Sequence, residues 1–340
     1  MELLKELSEA PGVSGNEKAV REVILKHIAD HVDEQRVDAL GNLIAVQRPR
    51  GGGSARRVML AAHMDEVGLM IVHLEKNGTL RFRLVGGIDP RVLPARRVRI
   101  GADGVPGVIG LKPIHLQEPN ERKQVIKLDA MSIDIGASSQ EEAGRLVKVG
   151  DYAVFDTAFA PVTANTVKGK AFDDRAGCAV LVRVLQAGPY DCELHAAFTV
   201  QEEVELRGAQ VAAYGIAPDL AFVLEGTICD DGPKKRDETP VTRLGAGPAL
   251  TIADRTVITD RGLTDLLIQT AKQHGIPYQF KAPGLGGTDA GAIHQTREGV
   301  PSAVLAVPSR YIHGPVSLLN LDDYRHTAQL MIETLRQMGK

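Results

Sequence analysis

The stretch Val58-Met59-Leu60-Ala61-Ala62-His63-Met64-Asp65-Glu66 joins five consecutive apolar residues directly to a histidine and two acids. A short unbroken apolar run is the pattern of a strand covered on both faces, as in a parallel sheet between helices. Ligands on such sheets sit beyond the carboxyl ends of the strands. His63 and Asp65 stand at that end. Three more runs repeat the design. Leu194 to Val200 leads into Glu202 and Glu203, Leu220 to Leu224 ends at Glu225, and Ala303 to Val307 is followed by His313.

Helical patterns alternate with these strands. Residues 2–9 place Leu3, Leu4 and Leu7 on one face, and Pro11-Gly12 breaks that helix. Ser14 with Glu17 has the form of a capping box opening a second helix to about residue 32. Further helices are expected at Ala176–Leu185, at Leu263–His274 before Gly275, and from Asp322 to Met338. Asn42–Val46 reads as a strand and Gly51–Ser54 as a flexible turn. Between residues 67 and 162 the texture changes to short β-branched runs separated by glycines, with alternation in Leu80–Leu84 and Arg97–Ile100. The fold class expected is therefore α/β. A mainly parallel sheet flanked by helices is built from 1–66 plus 163–340, and a β-rich domain is inserted at 67–162.

The 340 residues carry a net charge of −3, with 44% hydrophobic and 24% charged residues, an ordinary globular balance. No basic stripe interleaved with aromatics points to nucleic acid, and no apolar run reaches the ~18 residues of a membrane span. Cys178, Cys192 and Cys229 form no C-x-x-C pair, which fits packing thiols in a reducing, cytoplasmic compartment. The opening MELLKELSEA lacks the basic and apolar regions of a secretory signal.

Histidines and carboxylates gathered at strand ends suit Zn²⁺, Co²⁺ or Mn²⁺, and the absence of cysteine from the set favours a catalytic over a structural site. His27, His31, His73, His115, His195, His274, His294 and His326 lack this context and read as ordinary surface or core groups. Asp173-Asp174 adds an acidic pair ahead of the 176 helix. No H-E-x-x-H helix, G-x-S-x-G elbow or Walker A loop is present. Gly284-Leu285-Gly286-Gly287-Thr288-Asp289 lacks a phosphate-loop lysine and reads as a tight loop near substrate. In an extended chain Glu202 and Glu203 would face opposite ways, so one can bind metal while the other faces water.

Six segments in order resemble the tetrahedral (TET-like) family of dinuclear metallo-aminopeptidases, which includes glutamyl aminopeptidases. They are Ala61–Gly68, Lys170–Gly177, Gln201–Val204, Leu224–Thr227, Gly286–Gly291 and Arg310–His313; the opening Leu7–Gly15 matches too. The resemblance spans residues 3 to about 335. It implies two divalent ions per subunit, with Asp173 bridging, His63 and Glu225 completing one site, and Glu203 and His313 the other. It makes Asp65 a partner of the His63 ring, Glu202 the general base, and a water between the ions the nucleophile. It implies a cis peptide between Asp173 and Asp174. It also implies peptide substrates and a homo-oligomer, up to a dodecamer of dimers joined through the inserted domain. Glu225 stands where the family usually has Asp, a departure that bears on geometry. Alternatives on the same fold are an N-acyl deacylase or carboxypeptidase, or a non-catalytic assembly protein.

Overall fold

Arg57–His63 forms a strand in the middle of an eleven-stranded sheet. The structure is a computed structural model and describes residues 1–49, 56–233 and 239–338. The turn expected at Gly51–Ser54 lies outside the described residues. Four central strands are parallel, in the spatial order Glu193–Thr199, Arg57–His63, Leu220–Cys229, Ser302–Arg310. Antiparallel strands complete both sides, Leu43–Gln47 and Glu34–Val37 on one, Ser317–Asn320, Thr166–Gly169 and Ala160–Pro161 on the other. Ala249–Thr251 pairs antiparallel with the 302–310 strand, and Gln279–Phe280 pairs with it in turn.

The apolar runs are buried on both faces because alternate residues feed two cores. Val58, Leu60, Ala62, Phe198, Phe222 and Leu224 pack with the helices Glu2–Glu9, Lys18–Ile28, Phe172–Ala187 and Leu321–Met338. Met59, Ala61, Ala197, Ala221 and Val223 pack with Ala209, Ala212, Ala213 and Ile216 of the helix Arg207–Ile216. That helix was not expected from sequence. Gly208 and Gly215 weaken its propensity, yet Gly208 is required, since a Cβ there would stand 2.2 Å from the Val200 carbonyl oxygen.

Six strands between Gly68 and Phe155 close into an antiparallel barrel. Its core is its own: Leu69, Ile71, Leu80, Val98, Ile100, Ile109, Ile133 and Phe155 are all buried within it. Closure leaves the barrel without free edges. None of the helices among the described residues is long and apolar enough to cross a membrane.

The capping box expected at Ser14 is not formed. The second helix starts at Lys18, and a 3-10 turn at Ala29–His31 ends it. Ser14 Oγ donates instead to Asp65 Oδ2 at 2.6 Å, and Glu17 accepts from the Gly15 amide at 2.6 Å. A hydroxyl bonded to a buried carboxylate is stronger than one on a helix-end amide, so the tertiary partner wins.

Candidate metal centre

Strand register sets the first part of the site. Thr199 lies opposite His63, and Ala61 opposite Val223, which brings Glu225 alongside His63 two residues further on. His63 Nε2 is 3.2 Å from Glu225 Oε1 and 3.2 Å from Asp173 Oδ1. The other Asp173 oxygen, Oδ2, is 3.3 Å from His313 Nε2, which is itself 3.4 Å from Glu203 Oε2. One carboxylate thus faces two imidazoles through separate oxygens, and each imidazole has a second carboxylate. The donor atoms of His63, Asp173 and Glu225, and those of Asp173, Glu203 and His313, all lie within 4.8 Å of one another. Asp173 enters from the start of the 172–187 helix, where Ala171 has φ of 55° and the Asp173–Asp174 peptide is cis.

The imidazoles are oriented from behind. His313 Nδ1 is 2.9 Å from the Gly87 carbonyl, and His63 Nδ1 is 3.2 Å from the Asp65 carbonyl and 3.4 Å from Asp65 Oδ1. A carbonyl can only accept, so each Nδ1 carries the proton and Nε2 offers its lone pair inward. Gly87 follows the barrel strand Leu80–Val85, so both units contribute to the site.

Glu202 and Glu203 do diverge, but not from an extended strand. The strand ends at Thr199, and Gln201, Glu205 and Leu206 have positive φ in a tight turn leading to the 207–216 helix. The Asp65 carboxylate spans this turn, accepting the Glu202 amide on Oδ1 at 3.0 Å and the Glu203 amide on Oδ2 at 3.2 Å. Glu202 Oε2 is 3.8 Å from His63 Nε2, whereas Glu203 reaches His313.

Electrostatics show what these groups lack. Burial pushes the Glu203 carboxyl up to about 8, with the Asp173 charge adding to it, and pushes Glu225 up to about 7. Glu202 is also raised well above the carboxylate range, chiefly by burial. Burial opposes charging of His313, but the hydrogen bond to Asp173 and the Glu203 charge outweigh it and lift the ring to about 10. Protons on the imidazoles and carboxyls thus compensate a buried excess of acid. Glu225 Oε2 is buried with no hydrogen-bond partner. An orphaned carboxylate oxygen beside oriented Nε2 lone pairs fits divalent cations better than a structural ion-pair cluster.

Sequence reasoning missed a supporting layer. Asp174 accepts the His63 and Gly177 amides at 3.1 and 2.9 Å. Glu66 accepts from Lys170 Nζ at 2.6 Å and from Arg175 Nη2 at 3.2 Å, and Arg175 also donates to the carbonyls of Leu7, Ala10 and Met64. These buried groups pin the 7–12 segment under the His63 loop. Burial lowers Lys170 to about 8 against the pull of Glu66. Asp289, taken only as part of a glycine-rich loop, is buried, and burial raises its carboxyl to about 6; Thr199 donates to it. An acid following a Gly-Gly-Thr loop was the available signal. Cys178 donates to the His63 carbonyl and its thiol is pushed far up by burial, in keeping with a packing role.

The cluster opens into a cavity of ≈ 880 Å³, bordered on another wall by Lys281, Gly286, Gly287 and Thr288.

The sequence profile of the M42 glutamyl aminopeptidase family matches residues 41–330. The chain is 34% identical to the lysyl aminopeptidase of Pyrococcus furiosus, over 99% of this chain and 98% of that one. Among solved structures it resembles the TET aminopeptidase of the marine sediment archaeon Thaumarchaeota archaeon SCGC AB-539-E09, with a TM-score of 0.94, 40% identity and coverage of 99% and 97% of the two chains. It also resembles the Pyrococcus horikoshii TET1 peptidase, which assembles into a tetrahedron or a large octahedral shell, with a TM-score of 0.87, 36% identity and 98% coverage of each chain.

Proposed function

This chain belongs to the M42 glutamyl aminopeptidase family of metallo-aminopeptidases, and from that premise we propose that it removes N-terminal residues from peptides at a two-cation centre built around Asp173. The observation that carries this reading is the division of the Asp173 carboxylate between His63 on one oxygen and His313 on the other. His63, Asp173 and Glu225 would hold one ion, and Asp173, Glu203 and His313 the second. Glu225 brings one more methylene than the family's usual aspartate and remains a hard oxygen donor that suits Zn²⁺, Co²⁺ or Mn²⁺. Bound ions supply Lewis acidity toward the scissile carbonyl and toward water.

Glu202 is the general base. Its carboxyl is buried beside His63 but held by no side-chain hydrogen bond among those described, so it is free to receive a proton. It takes one from the attacking water and returns it to the nitrogen of the breaking C–N bond. A carboxyl lifted toward neutrality by burial suits both transfers. Asp65 fixes the Glu202 amide and the His63 ring, so the base and one imidazole are positioned by the same group. A substrate ammonium is favoured over a blocked terminus because four carboxylates, Asp173, Glu202, Glu203 and Glu225, border the cavity.

The assembly proposed is a homo-oligomer of the tetrahedral type, in line with the TET1 relative. Light scattering that finds a monomer at working concentration rejects that part.

The activity test compares free and N-acetylated peptides on protein loaded with Zn²⁺ or Co²⁺. Cleavage confined to free amino termini, about two ions per chain, and a loss of ~10²–10⁴-fold in kcat for Glu202→Gln are expected. Equal cleavage of the acetylated peptides, or an unaffected Glu202→Gln enzyme, rejects it.

A further inference from the structure

Lys281 is 6% exposed, and no hydrogen bond or ion pair engages its Nζ among the described residues. Its backbone extends the short strand Gln279–Phe280, donating to the Leu250 carbonyl at 3.0 Å. The side chain borders the catalytic cavity, with Nζ 3.7 Å from where a Cβ on Gly286 would sit. Because Gly286 and Gly287 carry no side chains, the ammonium is uncovered on the cavity side. The close approach of that loop is enforced elsewhere: a Cβ on Gly287 would meet Thr256 Cγ2 at 2.7 Å, and the Arg255 amide donates to the Gly286 carbonyl at 2.9 Å.

The other fixed cation bordering the cavity is already neutralised. Arg310 donates to both oxygens of Asp231, at 2.5 and 2.9 Å. The neighbouring Asp230 is engaged by the Val241 amide at 2.6 Å. A charge removed from water without a partner is costly, so a cation left open toward a substrate cavity marks a place for an anion supplied by the substrate.

We propose that Lys281 binds the acidic side chain of the substrate's N-terminal residue, making this an aminopeptidase selective for N-terminal glutamate or aspartate. The inference rests on the aminopeptidase reading above. In an exopeptidase only one residue lies on the amino side of the scissile carbonyl. With that carbonyl at the Asp173 cluster, the first side chain is the part of the substrate available to the cavity wall around Lys281. A carboxylate farther down the peptide is the competing anion, and p-nitroanilides of single amino acids remove it from the test.

The experiment measures kcat/KM of the metal-loaded enzyme on the glutamyl, aspartyl, leucyl and lysyl p-nitroanilides. The expected result is a preference of at least about tenfold for the two acidic substrates. Lys281→Met should collapse the glutamyl-to-leucyl ratio by about tenfold or more, and Lys281→Arg should retain most of it. Lys281→Gln serves as a second neutral variant where Lys281→Met does not fold. A wild-type preference for leucyl or lysyl substrate overturns the proposal, as does an unaltered ratio in the neutral variant; both leave the aminopeptidase reading standing. No turnover of any anilide overturns the two together.

Discussion

Asp65 Oδ1 accepts the backbone amide of Glu202 at 3.0 Å, across 137 residues of chain. The same carboxylate lies 3.4 Å from the His63 ring nitrogen. Asp65 therefore joins the proposed base to an imidazole ligand without itself facing the cation positions. Asp65→Asn keeps the shape but loses the charge that both partners use. We expect a ~10–100-fold loss of kcat/KM, with metal affinity weakened through His63. Kinetics at saturating metal, alongside metal titration, separates the two effects. Unchanged kcat/KM and unchanged affinity would remove Asp65 from the site.

Cation uptake should expel protons. In the metal-free protein Glu203 titrates at about 8, Glu225 at about 7 and His313 at about 10, so at pH 7 most of these ligands hold protons. Binding needs the deprotonated forms, so affinity should rise from pH 6 to pH 8.5. Calorimetry at pH 7 in two buffers of different ionisation enthalpy should show net proton release. Equal apparent enthalpies in both buffers would contradict the raised values.

The Asp231–Arg310 pair predicts part of the acid sensitivity. Hydrogen bonds from Arg310 hold the Asp231 carboxyl well below the usual range, against its burial. A depressed folded-state pKa contributes stability above the unfolded value of ~3.9, and loses it as pH falls through the folded value. Asp231→Asn should therefore cost about 1–3 kcal/mol at pH 7. That difference should shrink steadily below about pH 4. Urea unfolding across this range checks it, and a pH-independent difference would assign the cost to packing.

Gly208 ties packing to the site. A methyl group there would stand 2.2 Å from the Val200 carbonyl and 2.4 Å from Asn42 Oδ1, beside the turn that carries Glu202 and Glu203. Gly208→Ala should destabilise by about 1–3 kcal/mol and lower kcat along with it. Urea midpoints and steady-state rates on one preparation test the link; a stable, fully active variant would break it.

Much of this protein was decided by sequence alone. The runs at 58–62, 194–200, 220–224 and 303–307 specify central strands because burial on both faces demands unbroken apolar residues. The acids and histidines that end these runs, with the ordered segments shared with the TET-like peptidases, placed the candidate ligands at one sheet edge. The glycine-punctuated alternation after residue 67 likewise announced the barrel. Other features had no local signature. Ser14 reads as a helix cap and becomes an Asp65 partner, because the stronger acceptor lies 51 residues away. Glu202 and Glu203 separate through a turn clamped by Asp65, not through strand alternation. Lys281 stands among ordinary residues in sequence and acquires meaning only where its strand meets a loop without side chains. Periodicity reports which face of an element is buried. Strand order decides which distant charges share that burial, and so what the site can bind.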